Sequence, residues 1–134
     1  IVLGNRVIFI NANLSEQMQR MVCAHELGHL LLHRKCYSEA AWVLNHELFD
    51  IKDDLEYEAN VFAAYFLIDD ADMFDCLHEG FSIVSAASSL DVNVNLLILK
   101  LVEMNKQEGF NFQISDMPER CFMGTIPDSN RNDW

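Results

Sequence analysis

The feature that most constrains this chain is the string HELGH at positions 25–29. It lies within a stretch whose apolar residues recur three and four positions apart, the spacing of an amphipathic helix. This pattern is formed by Met18, Met21, Val22, Ala24, Leu27, Leu30 and Leu31. Ser15 or Asn13 precedes the stretch and can supply its N-cap. We therefore predict one helix that carries the whole string in its interior.

On such a helix His25 and His29 project from the same face one turn apart, so both imidazoles can reach a single ion at roughly 2.0–2.1 Å. Glu26 lies beside that face, where it can take a proton from water without being a ligand. The H-E-x-x-H spacing thus predicts a Zn²⁺ site with Glu26 as its general base, an arrangement suited to peptide hydrolysis. The alternative is two surface histidines on an ordinary helix.

A catalytic zinc site needs a third protein ligand, and His33 is the nearest candidate. On a continuous helix His33 lies about 12 Å along the axis from His25, too far to share an ion with it. A third histidine can serve where a glycine turns the chain after the second one, but residues 30–32, LLL, continue the helix here. We expect His33 to be a polar residue that meets the last carbonyls of the helix.

A second helix is predicted from Asp53 to Leu67, with Asp53 and Glu56 as a capping box. Its apolar face consists of Leu55, Ala59, Phe62, Ala63 and Phe66. Glu56 and Asn60 share one stripe of this helix, so a carboxylate on the ion and an amide that holds a histidine can come from the same face. Glu56 is the predicted third ligand. Glu58, about 200° around the helix, is the alternative. Both glutamates are otherwise solvated charges at a helix N-terminus.

These two segments, AHELGHLLLH at 24–33 and EYEANVFAA at 56–64, resemble the ImmA/IrrE family of zinc metallopeptidases. The upstream residues 7–11, VIFIN, resemble the strand before the zinc helix in that family, so the resemblance covers about residues 6–68. It implies His25, His29 and Glu56 as zinc ligands, Glu26 as catalytic base and Asn60 as a supporting residue. The family's Leu-Met-Pro end to the second helix is replaced here by LIDD at 67–70.

The resemblance also implies what such a chain acts on. Members of the family typically cleave helix-turn-helix repressors of mobile elements or stress regulons. We therefore expect a zinc-dependent endopeptidase whose protein substrate is a DNA-binding repressor. The competing hypothesis is a module that binds a regulator without cutting it, with zinc serving only to tie two helices together.

The expected fold is α+β and zincin-like, mostly helical with a small N-terminal antiparallel sheet. The sheet is predicted as a hairpin of Val2–Leu3 and 6–10 around Gly4 and Asn5, whose 6–10 strand can pair with an extended substrate. Further helices are predicted over 71–79, 82–90 and 93–107, followed by an irregular tail over 109–134. Residues 1–134 are expected to form one metallopeptidase domain that starts partway through, because residue 1 is Ile.

Charge and apolar patterning limit the partners and the location of the chain. The formal net charge of −12 argues against direct binding to nucleic acid or anionic lipid and suits a basic protein partner. No apolar run approaches the roughly 20 residues of a membrane span, and no signal segment opens the chain. We expect a cytoplasmic protein that does not bind a membrane. The sequence does not indicate an oligomeric state.

The four cysteines, at positions 23, 36, 76 and 121, form no C-x-x-C pair, so a disulfide framework is not indicated. Cys121 follows Pro-Glu-Arg in the tail, a faint likeness to the thiolate switch of matrix metalloproteases. As a hypothesis, Cys121 occupies the fourth zinc position and keeps the enzyme latent. A Cys121→Ser protein no more active than the parent would remove this idea.

Overall fold

The computed structural model of the chain describes residues 2–3, 6–33 and 48–114. Two short strands are followed by five helices along this part of the chain. They are β1 (Val2–Leu3), β2 (Arg6–Val7), α1 (Glu16–Leu32), α2 (Leu48–Leu67), α3 (Asp70–His78), α4 (Ile83–Ser89) and α5 (Val94–Gln107).

The expected α+β class is wrong for the described residues, whose architecture is helical. β1 and β2 are two residues each and pair antiparallel only with one another, Val2 with Val7 and Leu3 with Arg6. Such a ribbon provides no sheet layer for the helices to pack on. Residues 8–10 have the alternation expected of a strand, with Ile8 buried and Phe9 exposed, but no ladder forms along them. The alternation of apolar and polar residues therefore overstated the extent of the sheet. It indicates which side chains are buried, but not whether a second strand is present to pair with.

Helix α1 has the N-cap expected from the sequence. Of the two candidates Ser15 is the cap, and its hydroxyl accepts a hydrogen bond from the Met18 N–H at 3.2 Å. The helix ends at His33, whose N–H donates to the His29 carbonyl at 2.9 Å. Its buried face consists of Met21, Val22, Ala24, His25, Gly28 and His29. Both histidines of the motif are thus on the buried face of α1.

Helix α2 begins at Leu48, earlier than the predicted start at Asp53, so the expected capping box does not open it. Of its predicted apolar face, Leu55, Ala59 and Ala63 are buried, whereas Phe62 is half-buried and Phe66 is 61% exposed, so only part of that face packs inward. The buried members of α2 are Leu55, Ala59, Asn60, Ala63 and Ala64. On its other side α2 packs against α5, whose Leu97 and Leu101 belong to the same core cluster.

The turn between α2 and α3 is built from the residues 67–70 that depart from the family pattern. The Asp69 carboxylate caps α3 by accepting from the Asp72 N–H at 3.2 Å. Lys100 of α5, 1% exposed, donates to the Ile68 carbonyl at 2.5 Å and to the Asp70 carboxylate. A buried ammonium that is fully paired in this way fixes the end of α2 to α5. These contacts of Asp69 and Lys100 thus hold the turn against α3 and α5.

The three C-terminal helices correspond to those predicted. Ser82 and Asn93 cap α4 and α5, accepting from backbone N–H groups of Ser85 and Asn95. Beyond α5, residues 109–114 are neither helix nor strand, in agreement with the predicted irregular tail, and the remainder of that tail lies outside the described residues.

Over the described ranges, no single helix is long and apolar enough to cross a membrane; α4 and α5, bent by 114° at their junction, meet that requirement only when taken together.

Candidate metal centre

Three side chains converge where α1 packs against α2. The Nε2 atoms of His25 and His29 are 3.1 Å apart. The Glu56 carboxylate faces both, with Oε2 3.0 Å from His25 Nε2 and Oε1 3.2 Å from His29 Nε2. The ligand atoms of the three residues all lie within 4.8 Å of one another. The structure therefore brings together the three residues that the sequence analysis selected as metal ligands.

Asn60 determines how the His25 ring presents itself to this cluster. Its Oδ1 lies 2.7 Å from His25 Nδ1, and an amide oxygen can only accept, so the ring donates its Nδ1–H. In a neutral imidazole the Nε2 lone pair then faces Glu56 and His29. The contact places Asn60 where the predicted supporting role requires it.

The donor set fits a divalent zinc ion. Two imidazole nitrogens and one carboxylate are the protein ligands of a common class of catalytic zinc site, which keeps a fourth position for water. Nitrogen lone pairs and an anionic carboxylate repel one another at about 3 Å unless a proton or a cation lies between them. The spacing and chemistry of His25, His29 and Glu56 thus suit a cation shared by all three.

Glu56 is held in its ionised form. Burial disfavours its charge, but His25 and His29, when they carry a proton on Nε2, outweigh that effect through hydrogen bonds and Coulomb attraction, so the pKa of Glu56 is lowered well below its ordinary value. A carboxylate must be deprotonated to ligate a metal. Glu56 meets that requirement throughout the neutral range.

Glu26 lies beside the cluster without joining it. Its Oε1 is 3.8 Å from His25 Nε2, beyond hydrogen-bond distance, and its side chain is 27% exposed. Burial raises the pKa of Glu26; the neighbouring His25 and His29 oppose this shift, and the Glu56 charge adds to it. A raised pKa makes the carboxylate a stronger base. It also brings the pKa closer to the value useful for proton transfer at neutral pH.

Glu58, the alternative third ligand, does not reach the cluster. Its Oε2 instead lies 2.6 Å from His33 Nε2. His33 lies at the end of α1, as expected, but its ring is buried and contacts His29 instead of the predicted last carbonyls. Sequence spacing missed this contact because it depends on how α1 and α2 pack together.

Of the tyrosines and further histidines that could contact the reacting carbonyl oxygen of a substrate, Tyr57 and Tyr65 make their contacts elsewhere. The Tyr57 hydroxyl donates to the Glu103 carboxylate of α5, and Tyr65 lies 5.1 Å from the Lys100 ammonium. His78 is in the last turn of α3. His46 and the neighbouring Tyr37 and Trp42 fall outside the described residues, as does the proposed latency ligand Cys121.

Gly28 is a site residue that the sequence analysis did not single out. A Cβ placed on it would lie 3.0 Å from Phe62 Cδ1 and 3.1 Å from Phe62 Cβ. The absence of a side chain therefore lets α2 approach α1 closely between the two histidines. The signal was a glycine inside a helical pattern, which usually has a packing or functional reason.

Replacing Gly28 with Ala should destabilise the protein in spite of the higher helix propensity of alanine. The added methyl forces α2 outward at Phe62, an overpacking cost of about 1–3 kcal/mol, and moves Glu56 away from the histidines. We expect lower thermal stability and weaker zinc binding in the same variant. Phe62→Ala, which removes the close Cγ and Cδ1 atoms, should restore part of the zinc affinity in the double variant. A Gly28→Ala protein as stable as the parent would show that the two helices are not in close contact here.

The chain resembles a phage protein over about half of its length. No solved structure shows a significant match to the chain. The "Uncharacterized immunity region protein 2" of Bacillus phage phi105 is 39% identical over 66 residues. The match covers 49% of this chain and 40% of the phage protein, so the chain spans well under half the length of that relative.

A family model gives the broader match. The model of the IrrE N-terminal-like domain, Peptidase_M78, matches residues 2–101. This segment includes α1, α2 and all the residues of the candidate metal centre, and it is well over half of the chain. The chain therefore belongs to the Peptidase_M78 family, the peptidases with an IrrE N-terminal-like domain.

Proposed function

We propose that this chain is a zinc-dependent endopeptidase that hydrolyses peptide bonds in a protein substrate. The observation that carries the proposal is the convergence of His25, His29 and Glu56, with a carboxylate of raised pKa, Glu26, directly beside them. Membership of a peptidase family supports the same conclusion.

In this proposal His25 Nε2, His29 Nε2 and the Glu56 carboxylate hold the zinc ion. Zinc, when bound, supplies Lewis acidity that activates water at neutral pH and stabilises charge on the carbonyl oxygen. Glu26 removes the proton from the attacking water and returns it to the leaving amine. Asn60 keeps the His25 ring turned toward the ion throughout.

We further propose that the substrate is a DNA-binding repressor of the helix-turn-helix type. Two observations support a basic partner of this kind. The chain carries a net charge of −12, which favours association with a positively charged protein surface. The phage protein that it resembles is named for an immunity region. We place this reaction in the cytoplasm, where such repressors bind DNA.

A zinc site that only ties helices together is less consistent with the described residues. A closed structural site uses four protein ligands, whereas the cluster found in the described ranges contains three. His33 is the nearest further histidine that could serve as a fourth ligand, but its two ring nitrogens already contact His29 and Glu58. A structural site would also have no use for Glu26 in its position.

The test combines metal analysis with a cleavage assay. The purified protein is analysed for zinc by elemental analysis and incubated with the repressor encoded nearest to its gene. We expect one zinc per chain and a discrete pair of repressor fragments, which disappear when zinc is removed and return when it is restored. A folded protein that takes up no zinc would overturn the proposal. Zinc without cleavage of the repressor would favour the regulator-binding module.

A further inference from the structure

Two contacts lead from the metal centre to the protein surface on the side of His29. His29 Nδ1 lies 3.0 Å from His33 Nδ1, one helical turn further along α1. His33 Nε2 in turn lies 2.6 Å from Glu58 Oε2 on α2. The His33 side chain is 3% exposed and the Glu58 side chain 58%, so this row of three residues runs from a buried ligand to solvent.

The positions of the protons on these three residues follow from the Glu58 carboxylate at the solvent end of the row. A carboxylate can only accept, so His33 must donate its Nε2–H to Glu58. A neutral His33 then has an acceptor at Nδ1, and His29 must donate its own Nδ1–H to it. This leaves the lone pair of His29 on Nε2, the atom that faces Glu56 at 3.2 Å.

We propose that His33 and Glu58 are positioning residues for zinc, which hold His29 in the one neutral tautomer that can ligate the ion through Nε2. The inference rests on the proposed zinc site. It gives the two histidine ligands separate supports, since His25 is oriented by the Asn60 amide and His29 by an imidazole and a carboxylate. Both supports lie on the side of the ring opposite the ion, where outer ligands of a metal site act.

The row also explains why a buried imidazole follows the motif. His33 is placed one turn after His29, close enough for the two rings to lie 5.2 Å apart between centroids. Because Glu58 comes from α2, the contact with His33 additionally holds the end of α1 to the helix that carries Glu56. Glu56, the third proposed ligand, and Glu58, which supports His29 through His33, are therefore on the same helix.

The first test measures zinc affinity by competition with a chromogenic chelator. His33→Phe and Glu58→Ala should each bind zinc about 10- to 100-fold more weakly than the parent, the range typical for residues that orient a ligand. Glu58→Gln, which keeps an acceptor oxygen for His33, should retain most of the affinity. Glu79→Ala, an exposed glutamate at the end of α3, is the matched control and should bind zinc as the parent does.

The second test reads the tautomers directly and needs no variant. Two-bond ¹H–¹⁵N spectra of the metal-free parent at neutral pH should show His29 protonated at Nδ1 and His33 protonated at Nε2. In Glu58→Ala, whose changed side chain is largely exposed in the parent, the His33 tautomers should become mixed and the His29 preference should weaken.

Two outcomes separate failure of this inference from failure of the zinc site. If His29→Ala and Glu56→Ala lose zinc while His33→Phe and Glu58→Ala bind it as the parent does, the positioning role is wrong and the site stands. An Nε2–H tautomer of His29 in the metal-free parent would also overturn the positioning role. If His29→Ala and Glu56→Ala bind zinc with parental affinity, the site itself is wrong.

Discussion

A Glu26→Gln protein should bind zinc as the parent does and lose peptidase activity by about 10²- to 10⁴-fold, the contribution of a positioned general base. Glutamine keeps the size of the side chain but cannot accept the proton of the attacking water. Glu26 is not within hydrogen-bond distance of His25 Nε2, so its neutralisation should leave the three ligands in place. Zinc content by elemental analysis and single-turnover cleavage of the repressor measure the two effects separately.

The control for this variant is Glu79→Gln, which changes the charge equally at an exposed position outside the site. It should retain parental activity. If Glu26→Gln cleaves its substrate at the parental rate with the same zinc content, another group provides the base. If Glu26→Gln loses zinc, Glu26 is a ligand and the roles of the two glutamates have been exchanged.

A Glu56→Ala protein should lose zinc as well as activity. The substitution removes one of the three proposed ligands and the only carboxylate within hydrogen-bond distance of both Nε2 atoms in the described site. We expect a fall in zinc affinity greater than the roughly 100-fold upper figure for a residue that only orients a ligand. The Glu56 side chain is 34% exposed, so its removal should leave the helices folded.

Competition with a chelator measures this affinity, and circular dichroism of the metal-free proteins checks that helix content is unchanged. Glu79→Ala, the same substitution at an exposed glutamate outside the site, serves as the matched control. A Glu56→Ala protein with full zinc affinity would exclude Glu56 as a ligand. It would then be necessary to seek the third ligand outside the described residues.

Local spacing was sufficient to predict which side chains converge at the candidate metal centre. His25, His29 and Glu26 share one helix, and Glu56 and Asn60 share another, so their relative directions follow from the helical repeat alone. The buried apolar stripe of each helix then determines which face meets the other. The ends of α4 and α5 were also predictable, because Ser82 and Asn93 are capping residues with local hydrogen bonds.

The features that were not predicted depend on contacts between distant parts of the chain. The contact between His33 and Glu58 requires the register of α1 against α2, which spacing along either helix does not contain. The close approach at Gly28 depends on the same register. The expected sheet failed for a related reason, since alternation at 7–10 reports which side chains are buried but not whether another strand is present to pair with.

The division of the ligands between two helices has a consequence for how the protein folds. A nascent α1 already presents His25 and His29 one turn apart and can engage zinc with two ligands before α2 is in place. Glu56 joins only after the chain between the helices closes into a loop, at an entropic cost that grows slowly with its length. Zinc binds more tightly to three ligands than to two. This difference in binding free energy favours the state in which α1 and α2 are docked. In the proposed site, zinc binding is thus coupled to the docking of α1 and α2.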